Sequence, residues 1–432
     1  MLPVISPPPP LHQATPGQAD LRSLSPEELG RLVERLGEKP FRAKQLFRWL
    51  HHKGAASFDE MTDLPKGFRE RLAAESQLTT LVLDAMQVST DGTRKYRFKT
   101  FDGRLIESVY MPDEPGEQPF ETDDELDPDE REDERQSERQ GERQGERQGE
   151  RDDAPAPKAN ARAAAGEAPL RRKRVRRTLC VSTQVGCAMG CGFCLTSTMG
   201  LIRNLTPGEI ADQVYRVNAD LRALGRADMD AQRPLTNLVY MGMGEPLHNF
   251  VHVKRSLELL LHADGANFSH RHVTVSTSGL VPNIQRLGEE TQVKLAVSLN
   301  ATTDEQRARL MPVDKKWNIA ALIDACKKFP MKHGRRITFE YVLLGGVNDT
   351  DEDAVRLAEL LRGMAVKVNL IPYNENPGLG FGDPGAERVA AFKRVLEQHQ
   401  VTTMVRKNRG RDISAACGQL AVAGQKESRP KA

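Results

Sequence analysis

Long apolar runs are missing from these 432 residues; charged side chains, 28% of the total, interrupt every hydrophobic stretch before it reaches membrane-spanning length. No spanning helix is expected. The first residues, MLPVISPPPPLHQATPGQ, lack the basic stretch and apolar core of a secretory leader. The expected location is the cytoplasm, where structural disulfides are rare. Cysteine is scarce too, six in all. Three of them, Cys187, Cys191 and Cys194, crowd into the single stretch "GCAMGCGFC", and the next, Cys326, lies far along the chain. In a cytoplasmic protein such a cluster points to a metal or to catalysis.

Charge is unevenly spread beneath a net +2. Residues 113–134 carry thirteen Asp or Glu against one Arg, and residues 135–170 balance seven against seven. The remainder therefore carries +14. So basic a folded part suits a polyanion, nucleic acid above all, although solubility alone is another reason for it. Residues 113–170 are nearly devoid of hydrophobic side chains, and "SERQGERQGERQGER" repeats every four residues. Burial there cannot offset the entropy of ordering, so a disordered acidic insertion is expected. The recurring glycine argues against a single charged helix. A Pro-rich tail over 1–20 and a C-terminal tail over 422–432 are expected as well.

Between these lie three foldable stretches. Residues 21–92 predict a small helical accessory domain with a basic face. In "LSPEELGRLVERLG", Ser25, Pro26 and Glu28 form a helix-start signature, and Leu29, Leu32, Val33 and Leu36 follow at helical spacing. Residues 93–112 alternate polar and apolar side chains around Asp102-Gly103, a β-hairpin signal leading into the next part. Over 171–421, short β-branched runs such as "TLCVSTQV", "NLVYMGM", "VKLAVSLN" and "ITFEYVLL" alternate with helical segments. That pattern predicts an α/β fold, a partial TIM-like (β/α) barrel. Active sites of such barrels gather at the C-terminal strand ends. The cysteine loop, Glu245, Ser276, Ser298, Asn300 and Asn374 all fall at predicted ends.

Three thiols are one short of a closed zinc site. They are also one short of the usual four-thiolate iron–sulfur cluster, which leaves one iron open to a substrate. A zinc knuckle that borrows His248, or plain buried cysteines, remain open alternatives.

The C-x3-C-x2-C spacing after a strand, with Phe193 before the last Cys, resembles the cluster loop of radical S-adenosylmethionine enzymes. "YMGMGEPLHN" resembles their Gly-Glu-Pro motif, and "VSTSG" (275–279), "SLN" (298–300) and "IPYN" (371–374) follow in order. With "EYVLLGGVND" and "VRKNRGRDISAACGQLA", the chain from Leu24 to Ala421, insertion apart, resembles the RlmN family of bacterial radical methyltransferases.

The resemblance implies a 4Fe–4S cluster on Cys187, Cys191 and Cys194. It implies two S-adenosylmethionine molecules per turnover, bound against Glu245, Pro246, Ser276, Ser298, Leu299, Asn300 and Asn374. It implies methylation at C2 of an adenine in 23S rRNA, before full ribosome assembly, and in some tRNAs. That carbon is electron-poor, so simple methyl displacement is unfavourable. The family's route loads the methyl group on one thiol, here Cys417, and resolves a protein–RNA adduct with a second, here Cys180. Glu107 stands where the family places a proton acceptor. A reductant such as flavodoxin, a monomeric state and an RNA-binding role for residues 21–92 belong to the same expectation.

Some positions depart from the pattern. Asn300 stands where relatives commonly carry His, and the insertion separates "IESVYMP" from "RRTLC". The related Cfr group methylates adenine C8; Val185 stands where that group would have another Cys. A non-catalytic Fe–S or zinc protein that binds RNA is the rival of another class, and it has no use for Cys417. Either outlying thiol also reads as a small buried residue, and Cys326 reads as structural. Arg406, Lys407, Arg409 and Arg411 are candidates to hold phosphates, or form a solvated loop. "RRKRVRR" (171–177) flanks the RNA site or balances the acidic run.

Because residues 113–170 cannot build a core, replacing them by a short flexible linker should leave cofactor cleavage and RNA methylation intact. Loss of both activities in folded, iron-loaded protein would place the segment in the site.

Overall fold

The computed structural model describes residues 19–78, 81–112, 176–225, 234–331, 335–376, 378–407 and 409–420. The expected insertion and C-terminal tail lie outside them, as do residues 1–18 of the expected N-terminal tail. Residues 1–112, 176–331 and 336–432 cluster as one compact unit; of the other, 113–175 with 332–335, only Arg335 is described.

The helix-start signature forms as its residues dictate. Helix α1 (Pro26–Arg35) begins with Glu28 N donating to Ser25 Oγ at 3.2 Å and Ser25 N donating to Glu28 Oε2 at 2.7 Å. Helix α2 (Phe41–Arg48) runs on into a wider turn, Trp49–Lys53, and α3 (Lys66–Glu75) completes the group. Leu29, Leu32, Val33, Leu46, Phe68 and Leu72 form a core of their own around these helices, joined by Leu259. Ala19 and Asp20 depart from the expected tail. They pair in parallel with Ser76 and Gln77, and Asp20 accepts from Arg22 N at 3.2 Å.

Arg22 fastens this helical part to the rest. Its side chain is wholly buried, donates to Leu50 O at 2.8 Å and Ala55 O at 2.6 Å, and pairs with Asp212 at 3.4 Å. Asp212 belongs to α5 (Pro207–Ala223), the first long helix after the cysteine loop and its short helix α4 (Leu195–Thr198), and also accepts from Leu81 N at 2.6 Å.

The second core belongs to a ten-stranded sheet. An antiparallel meander comes first: β1 (Val82–Val88), β2 (Arg94–Lys99) and β3 (Leu105–Pro112). The last two are the hairpin read from the sequence. Strand β1 lies inside the stretch expected to be helical. Its outer position leaves neither face fully covered, so "VLDAMQV" shows no clean alternation, and pairing with β2 defines it instead.

Strand β3 pairs antiparallel with β4 (Arg177–Cys180), and from there the sheet is parallel throughout. Its order is β4, β7 (Asn237–Tyr240), β8 (Val273–Thr277), β9 (Lys294–Ser298), β10 (Ile337–Leu343), β11 (Val366–Pro372) and β12 (Thr403–Val405). Helices α6 (Phe250–Leu261), α7 (Val281–Glu290), α8 (Asp304–Leu310), α9 (Ile319–Lys328), α10 (Asp351–Leu360) and α11 (Ala386–Gln398) connect the strands. This is a partial β/α barrel. The cysteine loop does not follow the first barrel strand directly. A separate two-stranded ribbon, β5 (Gln184–Gly186) with β6 (Leu201–Asn204), carries it.

Asp212→Ala leaves the Arg22 guanidinium buried without its carboxylate. The variant should lose about 3 kcal/mol of stability, the low end for a broken buried pair because two carbonyls still accept from Arg22. Urea unfolding of the full chain measures it; a loss below about 1 kcal/mol would show the pair to be dispensable.

Candidate active site

The sequence-flagged residues gather at the C-terminal ends of the parallel strands. Glu245 follows β7, Ser276 lies in β8, Ser298 closes β9, Leu299 and Asn300 follow it, and Asn374 follows β11. Cys187 leaves the ribbon through Gly186, whose φ is +76°; a Cβ there would lie 1.8 Å from Gly200 O. Only glycine lets the loop turn at that point. Cys187 N donates to Gly200 O at 2.9 Å, Gly192 N to Leu310 O at 2.9 Å and Cys194 N to Cys191 O at 3.2 Å.

Burial pushes the Cys187 thiol up to about 12 and raises Cys191 well above its ordinary value. After burial, the charges of Cys194 and Cys187 act most on Cys191, so the three sulfurs sense one another. Three mutually coupled thiols on one loop fit a polynuclear cluster, in which each thiolate takes its own iron. His248 offers no fourth ligand: it is exposed and hydrogen-bonds Gln184 Nε2 at 3.0 Å.

The Gly-Glu-Pro loop is held against the ribbon. Gln184 Oε1 accepts from Glu245 N at 2.9 Å, and Gln184 Nε2 donates to Asn204 Oδ1 at 2.8 Å. The Glu245 carboxylate accepts from Leu247 N at 3.0 Å and Ser278 N at 2.8 Å. Burial raises its acid, and these hydrogen bonds oppose the rise. Pro246 is buried at the start of the next turn.

Asn374 is buried, and among the described residues no donor reaches its acceptor Oδ1, a lack that a ligand N–H would relieve. It lines a cavity of about 360 Å³ with Glu375, Asp383, Arg411 and Gln419. Asn300 is buried just past β9. Its Oδ1 accepts from Val342 N at 2.8 Å and its Nδ2 lies 3.2 Å from Met311 Sδ, so both ends of the amide serve the fold.

Cys180 ends β4, and Cys417 comes from the far end of the chain. Both are buried enough to raise their thiols, Cys180 to about 12. After burial, the charge of Cys417 acts most on Cys180, while Cys417 senses Arg406, Glu340 and Cys194. The fold therefore brings together two thiols 237 positions apart in sequence, beside a cluster thiol.

Arg406 corrects its phosphate reading. Its guanidinium serves the two thiols and Glu340, and it reaches Met111 Sδ at 3.7 Å. Arg409 donates to Pro112 O, and Arg411 pairs with Asp383 at 3.4 Å.

Glu107 is buried on β3, where Lys95 Nζ lies 3.6 Å from its Oε1. Lys95 also donates to Ser414 O at 3.3 Å, linking Glu107 to the segment of Cys417. Cys326 stays apart, buried in α9.

The sequence reading passed over Arg307, Glu340 and Lys95. Glu340 had a readable signal, a lone carboxylate in an apolar strand buried on both faces. Asn369 Nδ2 donates to it at 3.2 Å.

Residues 181–358, which carry the geometry from the thiol loop to β10, match the radical SAM superfamily. The fold and site are those of a radical S-adenosylmethionine enzyme. Residues 19–78 match the ribosomal RNA large subunit methyltransferase N-terminal domain. The chain is 54% identical to the dual-specificity RNA methyltransferase RlmN 2 of Myxococcus xanthus, over 95% of this chain and 92% of that one. It is 55% identical to the RlmN of Anaeromyxobacter dehalogenans, over 96% and 94%. A radical SAM methyltransferase from Sphaerobacter thermophilus superposes with a TM-score of 0.75 at 40% identity, covering 93% of this chain and 99% of that one. This chain belongs to the RlmN family.

Arg406 lowers the Cys417 thiol against the effect of burial. In Arg406→Met the thiolate should form only at higher pH, so methyl loading of Cys417 should slow at neutral pH and its pH profile should move to the alkaline side. Intact-mass kinetics across pH would show it; an unmoved profile would mean the guanidinium does not act on this sulfur.

Proposed function

We propose that this enzyme methylates C2 of an adenine in 23S rRNA, before full ribosome assembly, and in some tRNAs. It uses one 4Fe–4S cluster per chain, two S-adenosylmethionine molecules per turnover and a reductant such as flavodoxin, and it works as a monomer in the cytoplasm. The observation that carries the reading is the meeting of Cys180 and Cys417 beside Cys194. A non-catalytic RNA-binding protein has no use for that meeting. Membership of the RlmN family supports the C2 outcome.

Cys187, Cys191 and Cys194 would hold the cluster. Glu245, Pro246, Ser276, Ser298, Leu299 and Asn374 would line the cofactor, with Asn300 placing the adjoining backbone. When bound, the cluster and cofactor supply one-electron cleavage of a sulfonium to a carbon radical. The protein's residues do the rest. Cys417 receives a methyl group as thiolate and presents it as a thioether to the adenine. Its carbon, once one hydrogen atom has been taken from it, adds to C2 and becomes the link between sulfur and base, joining protein to RNA. Glu107, beside Lys95, receives the proton that C2 gives up. Cys180 then attacks the Cys417 sulfur as thiolate; the S–S bond forms as the S–C bond breaks, and the methylene carbon left on the base takes up a proton to become the methyl group.

Labelled methyl donor under anaerobic reduction, followed by mass mapping of the nucleosides, should place the label at adenine C2. Label at C8 would instead assign Cfr-type chemistry. Cys417→Ala should transfer no methyl group to protein or RNA. Cys180→Ala should load Cys417, react with RNA and stall as a covalent adduct, visible as a protease-sensitive retarded RNA band. Normal turnover by Cys180→Ala would reject the two-thiol route.

A further inference from the structure

One exposed aromatic has no part in either core. Phe101 sits at the tip of the β2–β3 hairpin, 44% exposed. Its turn is closed without it: Thr100 N donates to Arg104 O at 2.7 Å, and Thr100 Oγ1 donates to Asp102 Oδ1 at 2.6 Å. An exposed ring that the turn does not need calls for another explanation.

Register fixes where the tip stands. Val109 of β3 faces Cys180, the C-terminal end of β4, and β3 runs antiparallel to it. Leu105 and the turn before it therefore project past Cys180 on the mouth side of the barrel, by roughly 14 Å at ~3.4 Å per residue. The tip is anchored there. Arg203 of β6 donates from Nε and Nη2 to both Asp102 oxygens at 2.8 Å, and from Nη1 and Nη2 to both Glu209 oxygens at 2.8 Å. Strand β6 pairs with β5, the strand that leads into Cys187.

The same guanidinium lies 4.8 Å from the centroid of the Phe101 ring. An arginine held by two carboxylates cannot swing away, so it holds the ring in one orientation. Lys99 is exposed two residues before Phe101, and Arg104 is partly exposed three residues after it, so both cations flank the turn in sequence. A fixed, exposed ring on a turn flanked by two cations at the rim of an RNA enzyme's active site has the chemistry of a base-stacking platform. The ring takes a base face, and the cations take the adjoining phosphates.

We propose that Phe101 stacks on an unpaired base of the RNA substrate beside the target adenine, with Lys99 and Arg104 on its phosphates. This rests on the RNA methyltransferase reading above. It adds a contact outside the cofactor site, on the hairpin instead of the N-terminal helical part.

The test uses the iron-loaded full chain and an RNA stem-loop that carries the target adenine, with 2-aminopurine placed in turn at each unpaired neighbour. Wild type should quench one of these positions strongly. Phe101→Leu keeps an apolar side chain and should abolish that quench, weaken RNA binding on the order of tenfold and raise KM in proportion. Phe101→Trp should retain both. The salt slope of binding should stay unchanged in Phe101→Leu but fall by roughly 0.7–0.9 in Lys99→Ala, because a phosphate contact is lost. Wild-type affinity and quenching in Phe101→Leu would overturn the proposal. Loss of RNA-independent methyl loading of Cys417 in both Phe101 variants would overturn it too, by placing the ring in the cofactor site. If wild type itself methylates no RNA, the methyltransferase reading fails, and the quench and affinity still judge the stacking.

Discussion

A guanidinium shut off from water holds the mouth of the barrel together. Arg307 is fully buried on α8, donating to Leu299 O at 3.0 Å, Ser298 O at 3.2 Å and Ser278 O at 2.6 Å, and pairing with Asp314 at 3.1 Å. Those three carbonyls lie at the last residue of β9 and just past the ends of β8 and β9. Without the guanidinium they would be buried acceptors with a donor lost. The same helix ends at Leu310, whose carbonyl receives Gly192 N from the thiol loop. One cation thus fixes two strand ends and, through its helix, the loop that carries the cysteines. It also lies near enough for its charge to oppose the rise of the Cys191 thiol.

The second constraint is the path of the last segment. Among the described residues no strand follows β12, and the chain crosses to the antiparallel meander instead. Gly410 N donates to Asp91 Oδ2 at 2.9 Å, Ser89 Oγ to Asp412 Oδ1 at 2.6 Å and Lys95 Nζ to Ser414 O at 3.3 Å. It then turns back to the cluster loop, where Leu195 N donates to Gly418 O at 2.8 Å and Thr196 Oγ1 to Leu420 O at 2.5 Å. Cys417 lies between these two sets of anchors. The meander is therefore the far support of the thiol carrier as well as an extension of the sheet. Glu107, on the same meander, is brought to the site by the same contacts.

What could be read from the sequence was local. The Ser25–Glu28 signature specifies a helix start within four residues, and it forms. The small polar residues that close the strands marked the mouth because strand ends follow directly from hydrophobic runs. What could not be read depends on partners far along the chain. Ala19 and Asp20 looked like tail until Ser76 and Gln77 paired with them. Strand β1 lacks alternation because its stability comes from β2. Asn300 looks like a ligand by position, yet Val342 claims its oxygen. Arg406 sits in a run of basic residues that reads as surface, yet its partners, Met111, Glu340 and the two thiols, come from distant parts of the chain.

That inward turn bears on how two thiols share one site. Arg406 is raised first by the charge of Cys417, and it opposes the effect of burial on both sulfurs. Before loading, a Cys417 thiolate has the guanidinium beside it, and its negative charge helps to hold Cys180 protonated. The order of the proposed reaction follows from this. Once Cys417 carries a methyl group its sulfur is uncharged, so the repulsion that raised Cys180 disappears and Arg406 loses its first partner. The freed cation then favours the Cys180 thiolate, the form needed to attack the Cys417 sulfur. In the proposed route one guanidinium would thus act on the carrier thiol before methylation and on the resolving thiol after it.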